Sequence, residues 1–383
     1  MNSIAENFDP GLASRLDPPL DAALADSRVA GVVVLVAKAG KLAYARAVGL
    51  ADIDSGRPMQ RDTIFRAASL TKPLVTAAAL SLVEDGILAL EDPVTRLLPD
   101  FKPRLGDQTP AITIRQLLTH TAGLSYGFMQ PLDGPYPRLE VSDGMDQPGL
   151  GFTENLGRIT EAGLFYPPGA GWIYSVSMDV LGAAMEQAAD KSLQDILVER
   201  VTSKLGLADT GFRVSDRARL ATAYADGPPP KPMGQAYVAP FAELSGIRFA
   251  PDRIFDSGSF PSAGAGAACS ALDFLTFLET IRGGGGPVVS AATVKAMLSN
   301  QTGDLPTISG PGVGFGFGGA VIVDPAAAAS PHSAGTWRWG GVYGHSWFVD
   351  PAREISFVLM TNTALEGMSG RLSQELMAVA ATA

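Results

Sequence analysis

Strand-forming sequence lies at both ends of this chain, and helix-forming sequence fills the middle. Near the N-terminus, β-rich runs at residues 31–38 and 41–49 flank Ala39-Gly40, a pattern that predicts a hairpin. Near the C-terminus, strand patterns return at residues 316–323, 337–342, 346–350 and 355–362. The run at 31–38 is almost wholly apolar, as expected of a strand covered on both faces. The simplest fold is therefore an α/β (α+β) architecture in which one antiparallel sheet is built from both termini.

Helical patterns complete this architecture. They occur at residues 10–27 and near 369–381, which we expect to flank the sheet. Further amphipathic helices are predicted at residues 113–118, 177–189, 193–204 and 271–282. A proline-rich connector at 227–232 marks the point at which the chain leaves the helical part. We predict an active site between two domains: an α/β domain of residues 1–75 and 235–383, and an inserted mainly helical domain of residues 76–234.

The composition excludes several function classes. The 383 residues are 46% hydrophobic and 18% charged, which is typical of a globular protein. The net charge of −10 argues against a nucleic-acid partner or an anionic membrane surface. No stretch reaches the roughly 18 apolar residues that span a bilayer, and no secretion signal is visible. We expect a cytoplasmic protein, a monomer or a weak homo-oligomer; an exported protein without its signal would have the same features.

A serine and a lysine at helical spacing carry the first indication of chemistry. In the sequence Ser69-Leu70-Thr71-Lys72-Pro73, proline is tolerated only in the first turn of a helix, so the helix begins at about Ser69. Residues three apart share a helix face, with Cβ atoms roughly 5–6 Å apart. Burial lowers the pKa of a lysine, and the neutral amine can then accept the serine proton. The alternative interpretation is a surface lysine beside a helix-capping serine.

Two more motifs and their order indicate a family. Tyr174-Ser175-Val176 precedes a predicted helix, and Trp339-Gly340-Gly341 lies at a predicted strand edge. Together with Ser69–Lys72, they resemble the three active-site motifs of the serine β-lactamase and penicillin-binding-protein superfamily. In particular, the chain resembles the family VIII carboxylesterases, which are esterases with the class C β-lactamase fold. The resemblance covers nearly the whole chain and includes residues 118–124.

The resemblance implies a role for each matching residue. Ser69 matches the nucleophile that becomes acylated, and Lys72 matches its proton acceptor. Tyr174 matches the tyrosine that passes the proton to the leaving alcohol and helps to activate the water for deacylation. The backbone N–H groups of Ser69 and Val342 match the donors of the oxyanion hole. No metal or other cofactor is expected.

Two departures from the superfamily pattern indicate the substrate. Val176 replaces a motif asparagine, and Trp339-Gly340-Gly341 replaces a motif Lys-Thr-Gly, so polar groups that favour β-lactams are missing. An apolar, aromatic wall favours neutral esters. The expected substrate-binding residues are Tyr126, Phe128, Tyr136, Trp172, Val176, Trp339, Gly340, Gly341, Tyr343, His345 and Trp347. An aromatic residue is nevertheless more often part of the core than of a substrate site.

Other patterns support competing interpretations. Residues 123–127 match the G-x-S-x-G pattern of α/β-hydrolases, but they lack the strand before and the helix after that this motif needs. His120 and His345 suggest a Ser-His-Asp triad, although a hydrogen-bonded structural histidine is the more frequent case. The glycine-rich segment 262–266 is expected to border the site.

The sequence therefore predicts a serine carboxylesterase that hydrolyses short-chain acyl esters, with a small-molecule ester as its partner. An acyltransferase and a hydrolase of the β-lactamase or DD-peptidase type are alternatives on the same fold. A non-enzymatic alternative is a ligand sensor that is acylated and then stalls.

Overall fold

The computed structural model describes residues 4–383, and its elements are numbered here in chain order. The helices are α1 (Pro10–Ala25), α2 (Thr71–Glu84), α3 (Ile114–Leu118), α4 (Pro135–Arg138), α5 (Phe152–Ala162), α6 (Ser177–Ala189), α7 (Leu193–Leu197), α8 (Ser203–Leu205), α9 (Ala271–Arg282), α10 (Ala291–Met297), α11 (Glu366–Ser369) and α12 (Arg371–Ala380). The strands are β1 (Gly31–Lys38), β2 (Lys41–Asp52), β3 (Arg57–Pro58), β4 (Ile64–Arg66), β5 (Tyr224–Ala225), β6 (Lys231–Pro232), β7 (Tyr237–Ala239), β8 (Ile247–Phe249), β9 (Ala268–Ser270), β10 (Val313–Phe315), β11 (Ala320–Ile322), β12 (Trp337–Gly341), β13 (His345–Asp350) and β14 (Ile355–Thr361).

One eight-stranded sheet organises the molecule, in the order β10-β11-β12-β13-β14-β1-β2-β3. All its pairs are antiparallel, and the N-terminal hairpin joins the C-terminal strands through β1 and β14. In that central pair, Val32 lies opposite Thr361 and Lys38 lies opposite Ile355. The predicted α/β class and the antiparallel sheet from both termini are confirmed.

Apolar layers cover both faces of this sheet. Successive residues of β1 alternate between them: Val33 joins the core shared with α2 and α9, whereas Val34 joins a smaller core formed with α1 and α12. This alternation explains the continuous apolar run of β1, because a strand buried on both faces has no polar side. Within the described residues, no helix is long and apolar enough to cross a membrane.

Several boundaries differ from the prediction for local reasons. In the run predicted as a strand at 316–323, residues 316–319 form the turn between β10 and β11, and only Ala320–Ile322 is a strand. Gly318 in this turn has a positive φ of 80°, which suits glycine. The predicted helix at 193–204 is interrupted by a π-helical segment, Val198–Thr202, between α7 and α8. Pro18 and Pro19 lie within α1 without ending it. The last helix, predicted near 369–381, is α12, and a short helix, α11, precedes it across Gly370.

A two-stranded sheet that the sequence patterns did not predict positions the Ser69–Lys72 motif. β4 pairs with β9, so the chain that leads into Ser69 lies beside the chain that follows the segment 262–266. The backbone N–H of Ala267 donates to Thr71 Oγ1 at 3.1 Å, and the N–H of Ala67 donates to the Ala267 carbonyl at 2.8 Å. These bonds fix the start of α2 against the glycine-rich segment. The proposed division into two domains stays a prediction.

Candidate active site

Ser69 lies in a single 3-10 turn, Ala68–Leu70, immediately before α2. The α-helix itself begins two residues later than Ser69, and Pro73 occupies its third position, where no N–H is needed. Ala68 has a positive φ of 46°, a conformation that is uncommon for alanine and that clusters at functional sites. The turn holds the serine hydroxyl at the wall of a cavity.

Lys72 is inside the protein and faces the serine. Its ammonium nitrogen lies 3.1 Å from Ser69 Oγ and donates a hydrogen bond of 2.7 Å to the carbonyl oxygen of Gly264. The side chain is 0% exposed, whereas Ser69 is 8% exposed. Burial lowers the pKa of Lys72 to about 7, against the opposing charges of Asp179 and Asp143. Near neutral pH, a substantial fraction of this lysine is therefore the neutral amine.

Tyr174 meets the same oxygen from the other side. Its hydroxyl donates to Ser69 Oγ at 2.6 Å and accepts a bond of 3.1 Å from the indole N–H of Trp339. The Lys72 nitrogen lies 4.6 Å from the centre of the Tyr174 ring. Burial raises the pKa of Tyr174, so the phenol carries its proton over the ordinary pH range. The phenol can thus hand one proton on and receive another without a stable phenolate.

The end of β12 closes the site above Ser69. A Cβ atom on Gly341 would lie 2.8 Å from the Ala67 carbonyl oxygen and 3.0 Å from Leu70 Cδ1, so only glycine lets the strand approach the serine turn this closely. Val342 follows in the next turn and borders the cavity with Ser69. Within residues 4–383, no hydrogen bond occupies the Val342 amide.

Two buried carboxyl groups act on the charge of Lys72, and sequence reasoning missed both of them. Asp179 accepts hydrogen bonds from Ser262 Oγ at 2.7 Å and from the Gly264 N–H at 3.0 Å, so it fixes the loop whose carbonyl holds Lys72. Burial raises the pKa of Asp179. Asp143 accepts bonds from two backbone amides of the loop at 127–128, and burial raises its pKa to about 7. Only the glycine-rich pattern at 262–266 signalled part of this arrangement.

A cavity of about 320 Å³ opens beside these groups. Its wall is mainly apolar and comes from several separate segments. It is lined by Ser69, Phe128, Met129, Tyr174, Phe241, Ile247, Ile308, Ser309, Ala320, Arg338, Trp339, Gly340, Val342, Ser346, Met368, Ser369 and Met377. Of the predicted substrate-binding residues, Phe128, Trp339 and Gly340 lie in this wall.

The structure places the other predicted wall residues behind or beside the cavity. Tyr126 stacks on Phe128 and Trp172 stacks on Tyr174, so both rings support the wall from behind. Trp347 packs against Trp337 in the core. The rest lie outside the wall: Tyr136 and Val176 are buried, Gly341 lies on the serine turn, Tyr343 packs against Phe249, and His345 packs against Phe65.

The residues of the competing motifs have structural partners. His120 Nδ1 lies 3.2 Å from Ser175 Oγ, and burial lowers the pKa of this imidazole. His345 Nε2 lies 2.8 Å from the Arg66 carbonyl oxygen. The Ser125 hydroxyl donates to the carbonyl oxygen of Tyr126. Within residues 4–383, none of these three side chains forms a hydrogen bond with Ser69.

Comparison with known proteins places this site in a family context. The model of the beta-lactamase family matches residues 13–382. Esterase EstB of Burkholderia gladioli is 48% identical over 366 residues, which is 94% of this chain and 93% of that protein. The lovastatin esterase of Penicillium rubens is 26% identical over 88% of this chain and 89% of its own. The structure of EstCE1, described as a hydrolase with promiscuous acyltransferase activity, superimposes with a TM-score of 0.91 at 43% identity, covering 96% of this chain and 98% of its own.

Proposed function

This chain belongs to the beta-lactamase family and, within it, to the family VIII carboxylesterases, and we propose that it hydrolyses short-chain acyl esters through an acyl-serine intermediate. The observation that carries the proposal is the convergence of two buried groups on one oxygen: Lys72 at 3.1 Å and Tyr174 at 2.6 Å from Ser69 Oγ. The esterase function of EstB, a relative at 48% identity, supports it.

In the acylation step, Lys72 is the proton acceptor. The Gly264 carbonyl can only accept, so it fixes one N–H of the amine and leaves the lone pair free to face Ser69. The pKa of about 7 provides a neutral amine at neutral pH. The serine proton moves to Nζ while Oγ attacks the ester carbonyl carbon, and a tetrahedral intermediate forms.

The backbone amides of Ser69 and Val342 stabilise the oxyanion of that intermediate. The unoccupied Val342 amide and the close packing of Gly341 on the serine turn support this role. A single donor of this kind is worth about 2.7–4 kcal/mol of the activation barrier. The two N–H groups are held by strand and turn backbone, so no reorganisation is needed when charge develops.

As the bond to the alcohol oxygen breaks, the Tyr174 phenol gives its own proton to that oxygen, and the proton that Lys72 took from Ser69 then restores the phenol. Its hydroxyl touches Ser69 Oγ and lies at the cavity wall, so a leaving oxygen bound there is within reach. The Trp339 indole N–H, which donates to the phenol oxygen, orients the phenol and stabilises negative charge that develops on it. After the alcohol leaves, water takes its place, and the same groups act in reverse to hydrolyse the acyl enzyme.

The wall chemistry supports an ester rather than a β-lactam. Trp339 stands where the superfamily motif has lysine, and Phe128, Phe241 and Ile247 make the adjoining surface apolar. Such a surface gains free energy from the apolar part of an ester, at roughly 25 cal/mol per Å² removed from water.

The decisive experiment compares two serine variants. We expect the protein to hydrolyse p-nitrophenyl butyrate, and Ser69→Ala to turn over this ester about 10⁴-fold more slowly or worse. Mass spectrometry of a quenched reaction should find the butyryl group on the peptide that contains Ser69. Ser125→Ala, which removes the hydroxyl of the G-x-S-x-G match, is the matched control and should keep its activity. Full activity in Ser69→Ala would overturn the proposal.

A further inference from the structure

A second polar feature borders the cavity on the face of β12 opposite to Trp339. Side chains alternate along a strand, so Arg338 and Gly340 share one face. Gly340 pairs with Ser346 of β13, and directly paired residues lie on the same face. Arg338 and Ser346 are therefore diagonal neighbours, with Cα atoms about 7–8 Å apart. Both line the cavity that Ser69 borders.

The Arg338 guanidinium has no partner within residues 4–383. It takes part in none of the salt bridges or side-chain hydrogen bonds of the described chain. Burial lowers the pKa of Arg338, and no carboxylate opposes that shift. By contrast, the partly buried Arg66 and the buried Arg253 each donate to two backbone carbonyl oxygens. Arg338 is only partly buried, so its guanidinium is accessible and can donate to an anionic ligand in the cavity.

The Ser346 hydroxyl is also without a partner. The residue is 2% exposed, and its Oγ makes no hydrogen bond among the described residues. Buried hydroxyls are normally hydrogen-bonded, so an exception at a cavity wall indicates a ligand position. Met368 and Met377 provide an apolar surround. A guanidinium binds a carboxylate through two parallel bonds, and the neighbouring hydroxyl can donate a third.

We propose that Arg338 and Ser346 form a subsite for a carboxylate at the far end of the ester substrate. The inference rests on the proposed esterase function and specifies its substrate class. At about 3.3 Å per residue, the Cα atoms of Arg338 and Val342 are about 13 Å apart along β12. The carboxylate and the scissile carbonyl are thus separated by several bonds. The substrate class is an ester in which the acyl half or the alcohol half ends in a carboxylate several carbons away.

Matched ester pairs test this subsite. For the acyl half, the mono-p-nitrophenyl ester of suberic acid is compared with p-nitrophenyl octanoate. For the alcohol half, the butyrate ester of ω-hydroxyhexanoate is compared with hexyl butyrate, both followed by pH-stat. In one of these arms, we expect kcat/KM to favour the carboxylate ester by about 10–100-fold. Arg338→Met should reduce that preference at least tenfold, Ser346→Ala by a few-fold, and Arg338→Lys should retain part of it.

Controls separate this inference from the proposed function. Arg371→Met removes an exposed arginine that pairs with Glu375 on α12, and it should leave the preference unchanged. If Arg338→Met does not fold, two other measurements test the subsite. Ser346→Ala should reduce the kcat/KM preference for the carboxylate ester, and rising salt should reduce the same preference in the wild-type protein. No preference in either arm, or a preference that survives Arg338→Met, overturns the subsite. Failure to hydrolyse hexyl butyrate and p-nitrophenyl butyrate as well would instead overturn the esterase function.

Discussion

The polar centre at Ser69, Lys72 and Tyr174 and the cavity wall beside it are built in different ways. In the centre, the functional atoms are linked by hydrogen bonds of 2.6–3.1 Å, and each group is held by at least one further contact. The wall is mainly apolar and is assembled from loops, strand edges and the C-terminal helices. Directional bonds fix a geometry to fractions of an ångström, whereas apolar contacts exclude water and tolerate adjustment. Changes in the centre should therefore cost orders of magnitude in rate, and changes in the wall only small factors.

Removing the lysine should have the largest effect among the supporting groups of the centre. We expect Lys72→Met to slow turnover roughly 10³–10⁴-fold, because it removes the proposed acceptor of the serine proton. Lys72→Arg should be equally inactive, since a guanidinium keeps its proton at every accessible pH. Steady-state kinetics with p-nitrophenyl butyrate measures the activity of both variants, and thermal unfolding verifies that they fold. Lys102→Met, which replaces an exposed lysine, is the control. Activity in Lys72→Arg would mean that the charge of residue 72 matters, and not its basicity.

The pH dependence of kcat/KM should reflect the titration of Lys72. In the proposed mechanism the neutral amine is the active form, so kcat/KM should fall about tenfold for each pH unit below the lysine pKa of about 7 and level off above it. Asp179→Asn removes a negative charge that raises the lysine pKa, so the acidic limb should move to lower pH. Asp54→Asn, an exposed substitution, should leave the limb in place. A limb that does not respond to Asp179→Asn would show that this carboxyl is uncharged when the enzyme works.

Local spacing explains why the centre could be predicted and much of its surroundings could not. The contact between Ser69 and Lys72 follows from an i, i+3 spacing on a helix, and the sheet follows from apolar alternation in strands. The bond from Lys72 to Gly264 joins residues 192 positions apart, and no local pattern reports it. Asp179 is likewise an ordinary acidic residue of a helix until the fold places it beside the lysine.

The wall was the least predictable part, for a reason that β13 illustrates. Trp347 and Ser346 are adjacent in sequence, but alternation turns the tryptophan into the core and the serine toward the cavity. Residue type favoured the aromatic as a substrate contact, and only the packing of Trp347 against Trp337 and Phe274 reverses that choice. Ile308 and Met377 gave no signal, because an apolar residue of a loop or helix looks the same whether it faces a cavity or the core.

The smallest effect on kinetics should come from a substitution in the cavity wall. Phe241 lines the cavity and packs edge-on against Phe128, with ring centres 5.6 Å apart. Aromatic contacts of this kind contribute about 0.5–1.5 kcal/mol, which corresponds to roughly two- to tenfold in kcat/KM. We expect Phe241→Ala to raise KM for p-nitrophenyl butyrate by that factor with kcat nearly unchanged, because the ring contacts the substrate equally before and during the reaction. Phe8→Ala, an exposed ring near the N-terminus, is the matched control. If turnover instead slowed about a hundredfold or more, the wall, like the centre, would fix the reacting geometry.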